Sequence, residues 1–370
     1  MTNRGELRRT ALYDCHLEAG ARMVGFAGWE MPVQYAGLMA EHEAVRTAAG
    51  LFDVSHMGEV RIQGPDAEAF LQYLTPNNVA KLKVGRAHYS ALLTEEGTYI
   101  DDLLIYRLAD DDFLVVVNAA NVDGDFAWIH SHAEAFSGEV TARNVSDDYA
   151  LLALQGPRAV EILSQLTESD LEAIRYYRFA HGEVDGVPAI LSRTGYTGED
   201  GFELYLAPEH AAQVWRALLA AGADRGLQPA GLGARDSLRL EAAMALYGHE
   251  IDNTTTPWEA GLDWTVKLKA GDFIGRDALV AQQEKGIERK LVGFVVTGRG
   301  IAREGHGVVH GGETVGKVTS GTFSPTFKQA LGLAYVPVEL AEPGTALTLE
   351  VRGREIPAEV RETPFYRRDK

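Results

Sequence analysis

Two segments of the chain carry residues in the same order, and this repeat restricts the fold more than any other feature of the sequence. GEVRIQGPDAEAFLQYLT begins at Gly58, and YALLALQGPRAVEILSQLT begins at Tyr149. Each segment predicts a strand, a Gln-Gly-Pro corner and a helix, with Pro65 and Pro157 in the first helical turn, where a missing N–H costs nothing. We interpret the pair as an internal duplication of an α+β unit. Two independent copies of a common strand-turn-helix motif are the alternative.

The sequence after each copy is also similar, with a glycine-containing turn, an apolar strand and a further helix. The strands are LLIYRL from Leu103 and FELYLA from Phe202. Helical spacing predicts one more helix over 235–246 and a short one over 276–285. The remaining sequence alternates short strands with glycine, which predicts a C-terminal β-barrel or β-sandwich.

Charge and cysteine content narrow the classes of function. The chain has 35 Lys and Arg against 53 Asp and Glu, a net charge of -18, so its field repels phosphate backbones and anionic lipids. We therefore expect binding neither to nucleic acid nor to membranes, and no run approaches the roughly 18 apolar residues of a membrane span. Cys15, the single cysteine, cannot form an internal disulfide, and no signal-peptide core is present, which together favour a cytoplasmic location.

Two kinds of familiar motif are incomplete in this sequence. GGETVGK from Gly311 has the spacing of a phosphate-binding loop, but Val318 follows and the next residues predict a strand, so we interpret it as a hairpin turn. His42 lacks the second histidine of a zinc helix, while His130 and His132 are two residues apart and face different sides of a helix. No metal site is expected.

Several polar residues lie at the ends of apolar strands. Asp101 and Asp102 follow a glycine turn, and because adjacent strand residues face opposite sides, only one of them can point into a cleft. Tyr106 shares the face of Asp102, and Asn118 ends the next strand. Each residue alone also has an ordinary explanation in turn chemistry or core packing.

The second half repeats this arrangement with Tyr196 and Glu203 around a glycine turn. A glutamate within an apolar strand is costly to bury unless it is paired, and a ligand with two N–H donors would pair with it. Arg235, near the start of a helix, is a candidate anion-binding residue, although composition alone favours a salt bridge to Asp236 or Glu241.

Ten sequence blocks, in order, resemble those of the T-protein family of the glycine cleavage system. The members of this family are aminomethyltransferases. They include FAGWEMPVQY from Phe26, GLFDVSHMGE from Gly50, DDLLIYR from Asp101, SRTGYTGEDGFELY from Ser192, GLGARDSLRLEA from Gly231 and TPWEAGLDWTV from Thr256. The resemblance runs from about Leu12 to Arg367. One departure is Thr98, which follows Gly97 where the family commonly has a second glycine; a positive φ there would strain a threonine.

The resemblance implies a fold and a reaction. The fold is α+β, a three-lobed cloverleaf of two interleaved, duplicated subdomains (residues 1–275, binding folate) and a C-terminal β-barrel (276–370). The reaction transfers the methylene of an aminomethyl group from the dihydrolipoyl arm of the H-protein to tetrahydrofolate, releasing ammonia and forming 5,10-methylenetetrahydrofolate without a metal. The implied partners are the lipoylated H-protein and, functionally, glycine decarboxylase and dihydrolipoyl dehydrogenase.

The resemblance also implies a role for individual residues. Glu203 would pair with N3 and the 2-amino group of the pterin, and Asp102 would act near N5 and N10 as the catalytic residue. Arg235 and Arg367 would bind the carboxylates of the glutamyl tail. The rest of the pocket would consist of Tyr89, Tyr106, Asn118 and Tyr196, with Met57 and Val116 as apolar walls.

Two other functions belong to related scaffolds. A folate-binding accessory protein of iron–sulfur assembly would carry a Lys-Gly-Cys-Tyr signature, which this sequence lacks. The folate domain of a flavin-dependent dimethylglycine or sarcosine dehydrogenase would follow a dinucleotide-binding domain, whereas the folate-binding blocks here start near the N-terminus. Both are less favoured than the aminomethyltransferase.

Overall fold

Three large β-sheets organise the chain in a computed structural model, which describes residues 7–368. Residues 1–6 and 369–370 of the two predicted domains lie outside the described residues. The helices are α1 (Tyr13–Glu18), α2 (Leu38–Thr47), α3 (Ala67–Leu74), α4 (Val122–Ala135), α5 (Ala159–Leu163), α6 (Ala211–Gly222), α7 (Leu232–Glu241) and α8 (Arg276–Lys285).

The strands of the N-terminal region form two large sheets and one hairpin. They are β1 (Arg22–Phe26), β2 (Trp29–Gln34), β3 (Ala49–Asp53), β4 (Gly58–Gln63), β5 (Arg86–Leu93), β6 (Tyr99–Ala109), β7 (Asp112–Val117), β8 (Thr141–Asn144), β9 (Ala150–Gln155), β10 (Phe179–Val184), β11 (Val187–Ser192), β12 (Gly201–Leu206) and β13 (Leu227–Pro229). The barrel strands are β14 (Arg289–Val296), β15 (Gly307–His310), β16 (Glu313–Ser324), β17 (Gln329–Pro337), β18 (Ala346–Val351) and β19 (Arg354–Arg361).

The two copies of the repeat fold alike. β4 and α3 belong to a five-stranded sheet of order β5-β6-β7-β4-β8, while β9 and α5 belong to a six-stranded sheet of order β10-β11-β12-β9-β3-β13. At the corners, Gly64 and Gly156 have φ of +136° and +134°, and a Cβ on either would lie within 2.5 Å of a backbone oxygen. Glycine is required at both corners. The helices begin two residues after Pro65 and Pro157, so the prolines belong to the corner and the prediction that they lie in the first helical turn was wrong.

The two sheets are interleaved in sequence. β3 precedes the whole five-stranded sheet, yet it pairs antiparallel with β9 and parallel with β13. The facing sides of the two sheets share one apolar core, to which Phe52, Leu114 and Tyr205 contribute. The functional residues at this contact therefore come from both copies of the repeat.

The C-terminal sheet is a closed barrel of order β14-β17-β16-β15-β18-β19, which confirms the predicted fold class. The segment resembling a phosphate-binding loop is the β15–β16 hairpin, with Gly311 and Gly312 at positive φ. α7 connects the barrel to the lobes, because the buried Arg239 guanidinium donates to Glu250 at 2.6 Å and to Ser320 at 2.8 Å.

The position of α7 differs from the predicted 235–246. The helix begins at Leu232 and ends at Glu241, because Ala243 adopts a φ of +51° and reverses the chain direction. The Met244 amide then donates to the Arg239 carbonyl at 2.9 Å. Within residues 7–368, no helix combines the length and apolar character that crossing a bilayer requires.

Candidate active site

A cavity of about 1620 Å³ lies where the two sheets, the β1–β2 hairpin and the barrel meet. It is large enough for a ligand bigger than most drug-sized molecules. Eight of the ten predicted site residues line it: Met57, Tyr89, Asp102, Val116, Asn118, Tyr196, Glu203 and Arg235. The topology explains this convergence, because β5, β6 and β7 lie on one side of the cavity and β12 and α7 on the other.

Asp102 points into the cavity, and its neighbour Asp101 points to the opposite face of β6, as strand alternation predicts. The Tyr89 hydroxyl donates to Asp102 Oδ2 at 2.8 Å, and Asn118 Nδ2 donates to Oδ1 at 2.7 Å. Burial, together with the Asp101 charge, raises the pKa of Asp102 to about 7. Asp102 can therefore exchange a proton near neutral pH.

The turn before Asp102 is unstrained at Thr98. Gly97 has a φ of +78°, whereas the φ of Thr98 is not positive. The Thr98 hydroxyl is hydrogen bonded to that of Thr94 at 2.8 Å. The departure from the usual second glycine therefore costs no backbone strain here.

A third carboxyl group, which sequence reasoning missed, lies behind the aspartate pair. Asp101 is buried and accepts from the Asn118 amide, Asn118 Nδ2 and Asn121 Nδ2 at 2.8–2.9 Å. Asp125 of α4 is 1% exposed, and neither of its oxygens receives a hydrogen bond from a nitrogen or hydroxyl group of the described residues. Burial and Asp101 raise the pKa of Asp125 to about 10. Asp125 is therefore a neutral acid at pH 7, and its O–H group is the donor of a hydrogen bond to Asp101. An aspartate in a first helical turn is so common that its sequence position gave no signal.

Glu203 lies on β12, and only 7% of its surface is exposed. The Thr194 hydroxyl donates to Glu203 Oε2 at 2.5 Å, and this is the only side-chain hydrogen bond that Glu203 makes with residues 7–368. Burial raises the pKa of Glu203, while Thr194 and Arg235 act in the opposite direction. The second oxygen is left for a donor in the cavity.

Tyr106 does not line the cavity, so the structure does not bring it into the pocket wall with the other predicted residues. Its ring lies on the cavity face of β6 but is covered by Phe179 and Tyr205 at the contact between the sheets. The Tyr106 hydroxyl is 3.2 Å from the Thr194 hydroxyl and accepts from Ser192 at 3.1 Å. Tyr106 therefore supports Glu203 indirectly, through Thr194.

Arg235 carries an uncompensated positive charge. Its guanidinium lies 4.6 Å from the centre of the Tyr196 ring and makes no hydrogen bond or ion pair with another described residue. The alternative of a salt bridge is not observed, because Asp236 pairs with Arg239 and Glu241 pairs with Arg46. Burial lowers the pKa of Arg235, but an arginine remains charged at neutral pH. An anionic or carbonyl oxygen of a ligand would offset this desolvation.

Arg367 is exposed and lies outside the cavity wall, so the structure does not place it in the pocket with the other site residues. Its Nη2 donates to the Thr363 carbonyl at 3.4 Å. The cis Thr363–Pro364 pair lines the cavity instead. Trp264, which sequence reasoning did not single out, stacks on Tyr89 with ring centres 5.7 Å apart and is 51% exposed.

The arrangement combines two acids in different surroundings, one cation and aromatic walls. Within the described part of the chain, no three His, Cys, Asp or Glu side chains are grouped to hold a metal ion. The cavity can hold a flat heterocycle with paired N–H donors against Glu203 while Asp102 exchanges a proton with a group beside it.

Two protein-family models match the chain. Residues 12–270 match the model of the GCVT N-terminal domain, and residues 289–367 match that of the glycine cleavage T-protein C-terminal barrel domain. An aminomethyltransferase of Desulfitobacterium hafniense is 53% identical over 98% of this chain and 99% of that protein. One of Rubrobacter xylanophilus is 54% identical over 99% of this chain and 96% of its own length. The crystal structure of glycine cleavage system aminomethyltransferase T from Bartonella henselae superposes with a TM-score of 0.91, at 38% identity and 98% coverage of both chains.

Proposed function

The chain belongs to the glycine cleavage T-protein family of aminomethyltransferases, and we propose that it transfers the methylene of a carrier-bound aminomethyl group to tetrahydrofolate. The carrier would be the lipoylated H-protein, and the products ammonia and 5,10-methylenetetrahydrofolate. Similarity to aminomethyltransferases over nearly the full chain favours this function over the two related alternatives. The enzyme would work functionally with glycine decarboxylase and dihydrolipoyl dehydrogenase. The unpaired, buried Cys15 supports a cytoplasmic location.

Glu203 supports a pterin as the group bound in the cavity. In the proposed complex, the free Glu203 oxygen and the one shared with Thr194 accept from N3 and the 2-amino group, a pair of donors matched to a carboxylate. Arg235 lies against the Tyr196 ring in the same cavity, where the two residues would bind the glutamyl carboxylates and an aromatic ring of the same ligand.

The proposed reaction balances without an oxidant or a metal. The carbon leaves the sulfur and the amine nitrogen and forms bonds to N5 and N10 of tetrahydrofolate. The two N–H protons of the folate end on the ammonia and on the thiol. At least one of these protons has to be carried between donor and acceptor, and Asp102, with a pKa of about 7, is suited to accept it and return it.

The observation that carries the proposal is the presence of Glu203 and Asp102 in one cavity, with one acid free to accept a donor pair and the other able to change protonation state. The test is turnover with tetrahydrofolate and H-protein loaded with the aminomethyl group, measuring ammonia and methylenetetrahydrofolate together. Formation of both in equal amounts is expected. Absence of both products from folded enzyme would contradict the proposal, and full turnover by Asp102→Asn would contradict the role of Asp102.

A further inference from the structure

His56 is a buried polar side chain that no part of the proposed reaction uses. It lies in the turn that follows β3, is 3% exposed and lines the cavity. Its Nδ1 has no hydrogen-bond partner, and the imidazole makes no hydrogen bond with any residue of 7–368. The ring of Phe26, at the tip of the β1–β2 hairpin, covers it with centres 5.6 Å apart. Nδ1 is enclosed by protein, so Nε2 is the ring nitrogen that a ligand in the cavity can reach, and an unmet hydrogen-bonding group in a buried site is unfavourable until a ligand satisfies it.

The charge state of His56 follows from its neighbours. Burial and the nearby Arg235 charge lower the pKa of His56 to about 4, so the ring is neutral at pH 7. The nearby acid, Asp53, already accepts from Thr10 at 2.6 Å and lies 2.9 Å from His16. A neutral imidazole offers one N–H donor and does not repel the Arg235 cation.

We propose that His56 donates a hydrogen bond to the same ligand carboxylate that Arg235 binds, at the glutamyl end of tetrahydrofolate; this rests on the proposed function. Arg235 has no acidic partner among the described residues, and His56 supplies a donor on the same stretch of cavity wall. A carboxylate has about four acceptor sites, enough for a two-pronged guanidinium contact and a further N–H. The paired N–H donors of the pterin go to Glu203, which leaves the carboxylates at the other end as the acceptors for these two residues.

The test compares two ligands that differ only in the glutamyl group. Calorimetry would measure tetrahydrofolate and tetrahydropteroate binding to the wild type, His56→Ala and His56→Gln. Since a hydrogen bond to a charged group is strong, we expect His56→Ala to weaken tetrahydrofolate binding roughly tenfold to a hundredfold and to leave tetrahydropteroate binding unchanged. His56→Gln, whose amide nitrogen lies near the position of Nε2, should retain most of the affinity for tetrahydrofolate.

A second measurement keeps the proposal testable if His56→Ala does not fold. In wild-type protein with ¹⁵N-labelled histidine, the His56 imidazole signals should shift on addition of tetrahydrofolate but not of tetrahydropteroate. Equal effects with both ligands would place His56 against the pteroyl part, and no effect with either would make it a structural residue; both results overturn the proposal. If the wild type binds tetrahydropteroate but turnover fails, the proposed function fails separately. If it binds neither ligand, the two proposals fail together.

Discussion

Replacing Asp102 by asparagine should stabilise the fold at pH 8 while it abolishes turnover. The pKa of Asp102 is about 7 in the folded protein and roughly 3.9 in an unfolded chain, and each unit of difference corresponds to about 1.36 kcal/mol. The ionised carboxylate therefore costs at most about 4 kcal/mol. Because Asp102 is open to the cavity and shares this cost with Asp101, we expect asparagine to add about 1–3 kcal/mol to the free energy of unfolding.

The pH dependence identifies the cause of this gain. Between about pH 4 and pH 7 the folded state holds more protons than the unfolded state, so the wild type loses stability as the pH rises. Asparagine does not titrate, so the advantage of the variant should be near zero at pH 4 and complete above pH 7. Urea unfolding followed by circular dichroism at pH 4, 6 and 8 measures this difference.

Asp101→Asn is the matched control, with the same substitution at the adjacent residue. Asp101 accepts three N–H groups, and an asparagine has a single acceptor oxygen, so we expect this variant to lose about 1–3 kcal/mol at pH 8. A stability gain for Asp102→Asn that is equal at pH 4 and pH 8 would refute the electrostatic reasoning. A loss at pH 8 would refute it as well.

Three further substitutions test other parts of the site and its frame. Glu203→Gln should weaken tetrahydrofolate binding roughly a hundredfold by calorimetry, since one charged acceptor of a donor pair is lost; unchanged affinity would remove Glu203 from the pterin site. Asp125→Leu should move the acidic limb of the pH–rate profile to lower pH, because the pKa of Asp101 would rise further without its donor and Asp101 would repel charge on Asp102 less. Asp125→Asn, which keeps an N–H donor, should leave the limb in place, and an equal shift in both variants would contradict this role. Arg239→Met should lower the free energy of unfolding by about 3–5 kcal/mol in denaturant titrations, since Glu250 would remain buried without its partner; a change below about 1 kcal/mol would mean that this pair does not hold the barrel to α7.

The sequence predicted the parts of the structure that depend on local pattern. The repeat around Gly64 and Gly156 could be recognised in the sequence because each corner requires a residue without a side chain. Both copies therefore have glycine at the same position. Strand alternation separated Asp101 from Asp102 correctly. The roles of Asp102 and Glu203 came from resemblance to a family and stay predictions until a ligand is bound.

Features that depend on which helices and strands pack together could not be predicted from the sequence. Tyr106 shares a strand face with Asp102, but alternation does not say where the second sheet covers that face. Asp125 and His56 gain their properties from groups more than 20 and 170 residues away, Asp101 and Arg235 respectively. The end of α7 was misplaced because Ala243, a good helix former, adopts a positive φ to bring Met244 back onto Arg239.

The two acids of the cavity differ in role because their neighbours differ in charge. Burial raises the pKa of both acids; at Glu203 the Thr194 hydroxyl and the Arg235 cation act against burial, whereas at Asp102 the charge of the adjacent Asp101 adds to it. Such a division separates a residue that holds a ligand from one that moves a proton. Asp125 acts behind this pair: burial raises the pKa of Asp101, the hydrogen bond from Asp125 lowers it, and Asp101 in turn raises the pKa of Asp102. Three carboxyl groups from β6 and α4 thus act as one unit, in which only Asp102 reaches the cavity.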